Sequence, residues 1–172
     1  VINGSKSFST NSGTRITGLV TVTARTRTGG EISSIVVPVP TPGLTVEPAY
    51  SKVGWHASDT HPLSFDNVRV PAENLLGEPS RGYANFLTIL DEGRIAIAAL
   101  AVGAAQGCLD ESARYAMDRE AFGRPIGRNQ AIAFKLARME ARTHTARLAY
   151  YDAAARMLAG KPFKKQASIA KL

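Results

Sequence analysis

Cysteine is nearly absent from this chain. Of 172 residues, one is cysteine. That single thiol, Cys108, excludes an internal disulfide framework and any site built from several cysteines. It fits a reducing compartment, the cytoplasm. Its place in the apolar run over residues 104–109 predicts a small core side chain. Apolar runs of membrane length are missing, as is a secretory leader, so no membrane partner is expected. Histidine is scarce, with three residues. His56 and His61 flank Ala57, Ser58, Asp59 and Thr60, but no third ligand matches them, so no metal site is expected. Both read as loop residues near a sheet end. His144 lies in a helical pattern and reads as a surface or interface residue. No Ser–His–Asp arrangement is indicated. An initiator methionine is also missing. Val1-Ile2-Asn3-Gly4 reads as the middle of a hairpin, and Ala170-Lys171-Leu172 halts in a helical pattern without a cap, so both ends read as cut.

What is present is ordinary for a globular protein: 44% hydrophobic and 20% charged residues. The length suits one large domain or two small ones. The net charge of +7 is uneven. Residues 1–113 carry 8 basic and 10 acidic side chains, and residues 114–172 carry 13 and 4. A basic half raises the question of nucleic acid or a membrane surface. The basic residues are spread among acids with little aromatic interleaving, so nucleic acid is not expected. A charged cofactor or an acidic partner surface explains the asymmetry as well.

Residues 1–70 carry a β pattern. Asn3-Gly4 is a hairpin turn signal. Residues 16–24 are rich in β-branched side chains and alternate in part, Leu19, Thr21 and Thr23 against Val20 and Val22. Thr28-Gly29-Gly30 predicts a second turn. Residues 32–39 predict a strand, ended by Pro38, Pro40 and Pro42, and residues 43–46 resume an extended run. Leu63-Ser64-Phe65 and Val68-Arg69-Val70 predict a last strand, interrupted at Asp66-Asn67 by a turn or bulge. The order suggests an antiparallel barrel or sandwich, shorter than a complete one.

Residues 71–79, with Pro71, Gly77 and Pro79, read as a linker. This divides the chain into domains at 1–79 and 80–172. Ser80 is a candidate N-cap for a long helix from Gly82 to about Phe122. Residues 95–107 are apolar around much of the helix circumference, which predicts burial between neighbours. Asn129 is a candidate cap for a second helix. There Ile132, Leu136, Met139, Thr143, Ala146, Tyr150, Ala153 and Met157 form a near-heptad stripe, as in an antiparallel bundle. Gly160-Lys161-Pro162 stops it, and a third helix begins near Phe163. The expected class is α+β: an antiparallel β-barrel or sandwich portion, then long antiparallel helices of an incomplete four-helix bundle.

One stretch bears on function: Asp118-Arg119-Glu120-Ala121-Phe122-Gly123-Arg124-Pro125-Ile126, followed by Gln130. Gly123 and Pro125 are expected to stop the first helix. Arg119 is then either a helix C-cap that complements the macrodipole or a planar fork of donors for a phosphate or carboxylate.

The words at the joints narrow this choice. They are residues 2–11 (Ile2-Asn3-Gly4-Ser5-Lys6-Ser7-Phe8-Ser9-Thr10-Asn11), Lys52-Val53-Gly54-Trp55, Ser58-Asp59-Thr60, Phe65-Asp66-Asn67-Val68-Arg69-Val70-Pro71, Asn74-Leu75-Leu76-Gly77-Glu78, Leu90-Asp91-Glu92-Gly93-Arg94, and the run from Arg119 to Gln130. In this order the chain resembles the acyl-CoA dehydrogenase family of flavoenzymes. It is similar to the latter part of that family's middle β-domain and the start of its C-terminal helical domain.

The resemblance implies FAD as cofactor, an acyl-CoA substrate and an α,β double bond in the product. It further implies an electron-transferring flavoprotein as partner and a homodimer or homotetramer. Phe8, Ser9 and Thr10 are implied beside the flavin ring system, with Phe8 where tryptophan is common. Arg119, Phe122 and Gln130 are implied to reach the FAD of an adjacent subunit, Arg119 at its pyrophosphate. Arg124 and Arg128 either serve the phosphates or are solvated turn residues. Asp91 and Arg94 are implied to line the acyl-CoA pocket; as a bare pattern they are an i, i+3 surface ion pair. Gly93 stands where some subfamilies place the catalytic glutamate. Glu92 is rotated from that position by about 100° around the helix. No catalytic base is therefore assigned within this chain, and the isolated chain is not expected to turn over. An acyl-CoA oxidase of the same fold and a non-catalytic oligomerisation module are the alternative readings.

Overall fold

β-Branched alternation in the first seventy residues produces two small antiparallel sheets. The computed structural model describes residues 1–26 and 30–172. Strands β1 (Ile2–Thr10), β5 (Thr60–Val68) and β4 (Leu44–Val46) form one sheet in the order β1-β5-β4. Strands β2 (Leu19–Arg25), β3 (Ile32–Pro38) and β6 (Leu75–Leu76) form the other, in the order β2-β3-β6. β2 and β3 pair in an unbroken register from Leu19 opposite Pro38 to Arg25 opposite Ile32. Side chains from both sheets meet in one core of Ile2, Val22, Val37, Leu63, Phe65 and Val68. Each fully buried side chain of this kind contributes about 1.5–3 kcal/mol. Two separate sheets facing one core make a sandwich, as opposed to a closed barrel.

Several local expectations change. Asn3-Gly4 is not a turn but the interior of β1, and Gly4 takes φ 127° beside a register shift. Asp66 and Asn67 do carry a bulge: Ile2 and Gly4 face Val68 and Phe65, which leaves one extra residue on β5. β5 starts earlier than expected, so His61 is a strand residue and only His56 lies in a loop. The turn expected at Thr28-Gly29-Gly30 falls mostly on residues outside those described. The expected linker is structured. A short 3-10 turn, Ala72–Asn74, leads into β6, which pairs with Ser34 and Ile35.

The chain divides into two compact units, Val1–Phe86 and Leu87–Leu172. Helix α1 (Gly82–Asp118) begins in the first and continues through the second. Ser80 does not cap it as expected. Its hydroxyl donates to the Glu31 carboxylate, at 2.5 Å. Gly82 instead lies against the β3 backbone, with no room for a Cβ beside Ser33 and Ser34.

In the second unit, α1 and α2 (Gln130–Leu158) run antiparallel. Ile95 packs with Ala153, Gln106 meets Arg147, and Ala116 lies beside Gly127. Every member of the predicted α2 stripe, from Ile132 to Met157, is buried or half-buried. α2 ends in a Schellman arrangement. The Lys161 N–H reaches the Arg156 carbonyl at 2.9 Å, the Gly160 N–H reaches Met157 at 3.0 Å, and Gly160 takes φ 64°. Helix α3 (Lys164–Lys171) packs Ala167 and Ala170 on the same cluster.

α1 is less covered than its composition predicts. Ile95, Ala98, Val102, Leu109 and Ala116 make one buried stripe, while Ile97 and Leu100 are exposed. Cys108 is exposed too, not a core residue. It precedes Leu109 by one residue, about 100° around the helix, and so misses the buried stripe.

Candidate functional site

Two clusters hold the predicted site residues, one in each unit. The first is at the end of β1. Between Lys6, opposite Leu63, and Ser9, opposite His61, β1 carries an extra residue. Phe8 sits in this bulge with φ 57°. A bulge re-aims its side chain, and here Phe8 is exposed, its ring stacked on Tyr50 at 4.8 Å between centroids and 25° between planes. Ser9 is half-buried, and its carbonyl accepts a hydrogen bond from the Ser12 hydroxyl at 2.9 Å. Thr10 is exposed and pairs with Thr60. The fold thus presents an aromatic surface beside two hydroxyl-bearing residues on one strand end. Tyr50 was not found from sequence, because only the strand register brings it to Phe8.

A hydrogen-bonded loop backs this strip. The Asn11 N–H donates to the Asp59 carbonyl at 2.9 Å, and the Gly13 N–H to the Asp59 carboxylate at 2.7 Å. His61 bridges the same carboxylate to the Glu47 carbonyl, which lies 2.6 Å from Nδ1. Lys52 donates to the Trp55 and Ser58 carbonyls and to the Thr60 hydroxyl. Burial alone raises the Asp59 carboxyl, but the Gly13 N–H, His61 and Lys52 outweigh it and hold Asp59 below its ordinary range. The Glu47 carbonyl raises His61 most; partial burial opposes this, and Asp59 adds to the rise.

The second cluster is on the helices. Asp91 and Arg94 form an ion pair one turn apart on α1, both half-buried. Gly93 between them faces open space, and Glu92 is exposed. α1 ends at Asp118, four residues before the expected stop. The Arg119 N–H still reaches the Tyr115 carbonyl at 2.8 Å, while the Arg119 carbonyl accepts from the Ile126 N–H at 2.8 Å. Between them is a small hairpin, β7 (Glu120–Ala121) against β8 (Arg124–Pro125). Its loop is Phe122 and Gly123, with φ 57° and 75°. Positive φ at both positions is the signature of a type I′ turn. Gly123 therefore serves the hairpin, not the helix end.

Phe122 is 97% exposed at the tip. Arg119 is exposed, and among the described residues its guanidinium has no acceptor. Arg124 is tied by a 2.8 Å hydrogen bond to the Asn129 side chain. Asn129 takes the N-cap position of α2, yet its side chain is held by Arg124 and makes no capping bond. Gln130, the first residue of α2, and Arg128 are exposed. Arg119, Phe122 and Gln130 are thus carried by the end of one helix, a hairpin tip and the start of the next.

A cavity of about 830 Å³ opens between the two sheets and is lined in part by Ile2, Lys6, Val22 and Phe65. None of the predicted site residues lines it. Among the described residues, no cluster of three or more His, Cys, Asp or Glu is placed to hold a metal. No described helix is long and apolar enough to cross a membrane.

An antiparallel β unit followed by long packed helices, with an aromatic–hydroxyl strip in one and, among the described residues, an unpaired arginine at a hairpin in the other, is an α+β fold. Comparison with known proteins gives the family. Residues 1–68 match the acyl-CoA dehydrogenase middle domain, and residues 80–172 match the acyl-CoA dehydrogenase C-terminal domain. The chain belongs to the acyl-CoA dehydrogenase family. It is 48% identical over 174 residues to a probable acyl-CoA dehydrogenase of Bacillus subtilis, covering 100% of this chain and 46% of that protein. The solved butyryl-CoA dehydrogenase of Megasphaera elsdenii superposes with a TM-score of 0.92 at 40% identity, over 98% of this chain and 44% of that one. A structure named for the electron transferring flavoprotein of Acidaminococcus fermentans matches with a TM-score of 0.91 at 37% identity, over 98% and 44%. The chain spans less than half the length of these relatives.

Proposed function

We propose that these residues belong to an FAD-dependent dehydrogenase that introduces an α,β double bond into fatty acyl-CoA thioesters, of short chain, and passes the electrons to an electron-transferring flavoprotein. The carrying observation is the likeness, over 98% of the chain, to a butyryl-CoA dehydrogenase. In this reading residues 1–79 are part of the middle β-domain and residues 80–172 part of the C-terminal helical domain. The electron-transferring partner is supported by the likeness to the Acidaminococcus fermentans structure.

The donor set suits a flavin dinucleotide. The exposed Phe8 ring, stacked on Tyr50, offers an apolar plane for the ring system. The hydroxyls of Ser9 and Thr10 offer hydrogen bonds beside it. Arg119 has no competing acceptor, so its full fork is available to a pyrophosphate. Phe122 and Gln130 flank it on exposed backbone, suited to the FAD of an adjacent subunit in a homodimer or homotetramer. Bound FAD supplies the hydride acceptor.

Asp91 and Arg94 take the acyl-CoA side. Their ion pair holds Arg94 in place on α1, and half-burial strengthens its field toward a phosphate or thioester oxygen. Proton removal from the α-carbon needs a desolvated carboxylate. Gly93 has none, and Glu92 is exposed on a different face. The base therefore comes from outside these 172 residues, and the isolated chain does not turn over.

The test is an anaerobic titration of the complete gene product with butyryl-CoA. The reading expects visible flavin absorbance that bleaches on substrate addition and returns slowly in air. Absence of flavin, or a flavin that ignores acyl-CoA, overturns it. Immediate reoxidation by air makes the enzyme an oxidase instead.

A further inference from the structure

Among the described residues, His61 has two acceptors and no hydrogen-bond donor at its ring nitrogens. Nδ1 faces the Glu47 carbonyl at 2.6 Å, and Nε2 faces the Asp59 carboxylate. A carbonyl and an ionised carboxylate can only accept, so both contacts are satisfied only by the doubly protonated imidazolium. Asp59 is in turn shared. Its carboxylate also accepts from the Gly13 N–H at 2.7 Å, and its carbonyl from the Asn11 N–H at 2.9 Å. Gly13 lies so close that a Cβ there would stand 2.7 Å from two carbons of the His61 ring. Residues 11–13 directly follow the strip of Phe8, Ser9 and Thr10. Ser9 pairs with His61 and Thr10 with Thr60.

We propose that Asp59 and His61 are positioning residues: a carboxylate–imidazolium clasp that fixes the turn at residues 11–13 and thereby the presentation of Phe8, Ser9 and Thr10. That this strip faces a flavin rests on the function proposed above; the clasp itself does not. The charged groups around it are few. Lys52, from the loop before β5, lies near enough to Asp59 to lower it and donates to Thr60 next to His61. Glu47 contributes its backbone carbonyl, and the turn after β1 contributes only the Gly13 amide and the ring-facing Cα. Closure therefore requires ionised Asp59 and protonated His61 together. The clasp holds from below neutrality up to the raised titration of His61, and opens as pH rises through it.

The experiment is a pH titration of the 172-residue chain by NMR, following the His61 ring and the Gly13 amide. In the wild type both signals titrate together, at a pH above that of an ordinary histidine. Asp59→Asn removes the carboxylate charge and lowers the His61 titration, leaving the part of the rise that the Glu47 carbonyl supplies. Gly13→Ala crowds the ring at Nε2, the nitrogen that faces Asp59, and lowers the His61 titration too, leaving a folded β unit judged by its remaining amide spectrum. His61→Gln abolishes the titration at Gly13. A His61 that titrates at its ordinary pH in the wild type, or a Gly13 amide indifferent to it, overturns the clasp. Since no flavin is present, that failure leaves the dehydrogenase reading standing. Loss of flavin binding with an intact clasp would do the reverse.

Discussion

Gly82→Ala should destabilise the chain, although it replaces a poor helix former by the best one. Gly82 opens α1, where alanine alone would gain up to about 1 kcal/mol. The added Cβ, however, would stand 2.5 Å from the Ser34 nitrogen and 2.7 Å from the Ser33 Cα. Ordinary van der Waals contact begins at 3.4 Å, and the obstructing atoms are backbone. Ser33 and Ser34 are buried on β3, the central strand of its sheet, paired to β2 on one side and β6 on the other. Neither neighbour can yield without breaking ladder bonds. Overpacking of this kind costs about 1–3 kcal/mol. The net loss is then about 1–2 kcal/mol, roughly a 5- to 30-fold fall in the folding equilibrium. Gly103→Ala is the internal control: it lies in the same helix, and its Cβ meets nothing within 4 Å. It should stabilise by about 0.5–1 kcal/mol. Urea denaturation, followed by far-ultraviolet circular dichroism and by the emission of the single tryptophan, Trp55, gives both values. If Gly82→Ala is as stabilising as Gly103→Ala, the close approach of α1 to β3 is wrong.

Three other outcomes follow from specific contacts. Arg147 on α2 donates to Gln106 on α1 at 2.7 Å, so a double-mutant cycle with Arg147→Ala and Gln106→Ala should return a coupling of about 0.5–1.5 kcal/mol; additive effects would remove this link from the helix packing. Cys108 is exposed, and should be alkylated to completion in native buffer; protection until denaturant is added would return it to the core. Stability should depend on pH through Asp59 and His61. The raised His61 contributes fully below about pH 6.5, its unfolded value, and loses the contribution as pH rises through its folded value. The lowered Asp59 contributes above about pH 3.9 and loses it as pH falls through its folded value. Denaturation midpoints should therefore decline on both sides of a mildly acidic plateau, and His61→Gln should flatten the alkaline side.

The parts of this fold that a sequence exposes are those set by periodicity. The α2 stripe from Ile132 to Met157 was legible because one helix face meets its neighbours, and burial follows that face residue by residue. The Gly160 stop was legible because a left-handed residue is a local need. Features set by pairing were not. Asn3-Gly4 carries a turn signal, yet β1 is held by residues fifty or more positions away, and that ladder overrides the local preference. The bulge that turns Phe8 outward exists only in the register of β1 against β5. The same holds for Tyr50 beside Phe8 and for Asp59 beneath Gly13. At the end of α1 the relevant signal was present but assigned to the wrong element. Gly123 and Pro125 read as a helix stop, whereas the positive φ of Phe122 and Gly123 closes a hairpin. Cys108 was misplaced because composition marks an apolar helix without saying which of its faces is covered.

Arg119, exposed and without an acceptor among the described residues, is the group proposed to receive a flavin pyrophosphate. FAD titration of the complete gene product, apo-form wild type against Arg119→Ala, addresses it directly, with the exposed Arg128→Ala as a control. Loss of a hydrogen bond to a charged group costs about 1.5–3 kcal/mol, which is roughly ten- to hundredfold in affinity. Arg119→Ala should show that loss, and Arg128→Ala little change. Equal FAD affinity in wild type and Arg119→Ala would remove Arg119 from the pyrophosphate site.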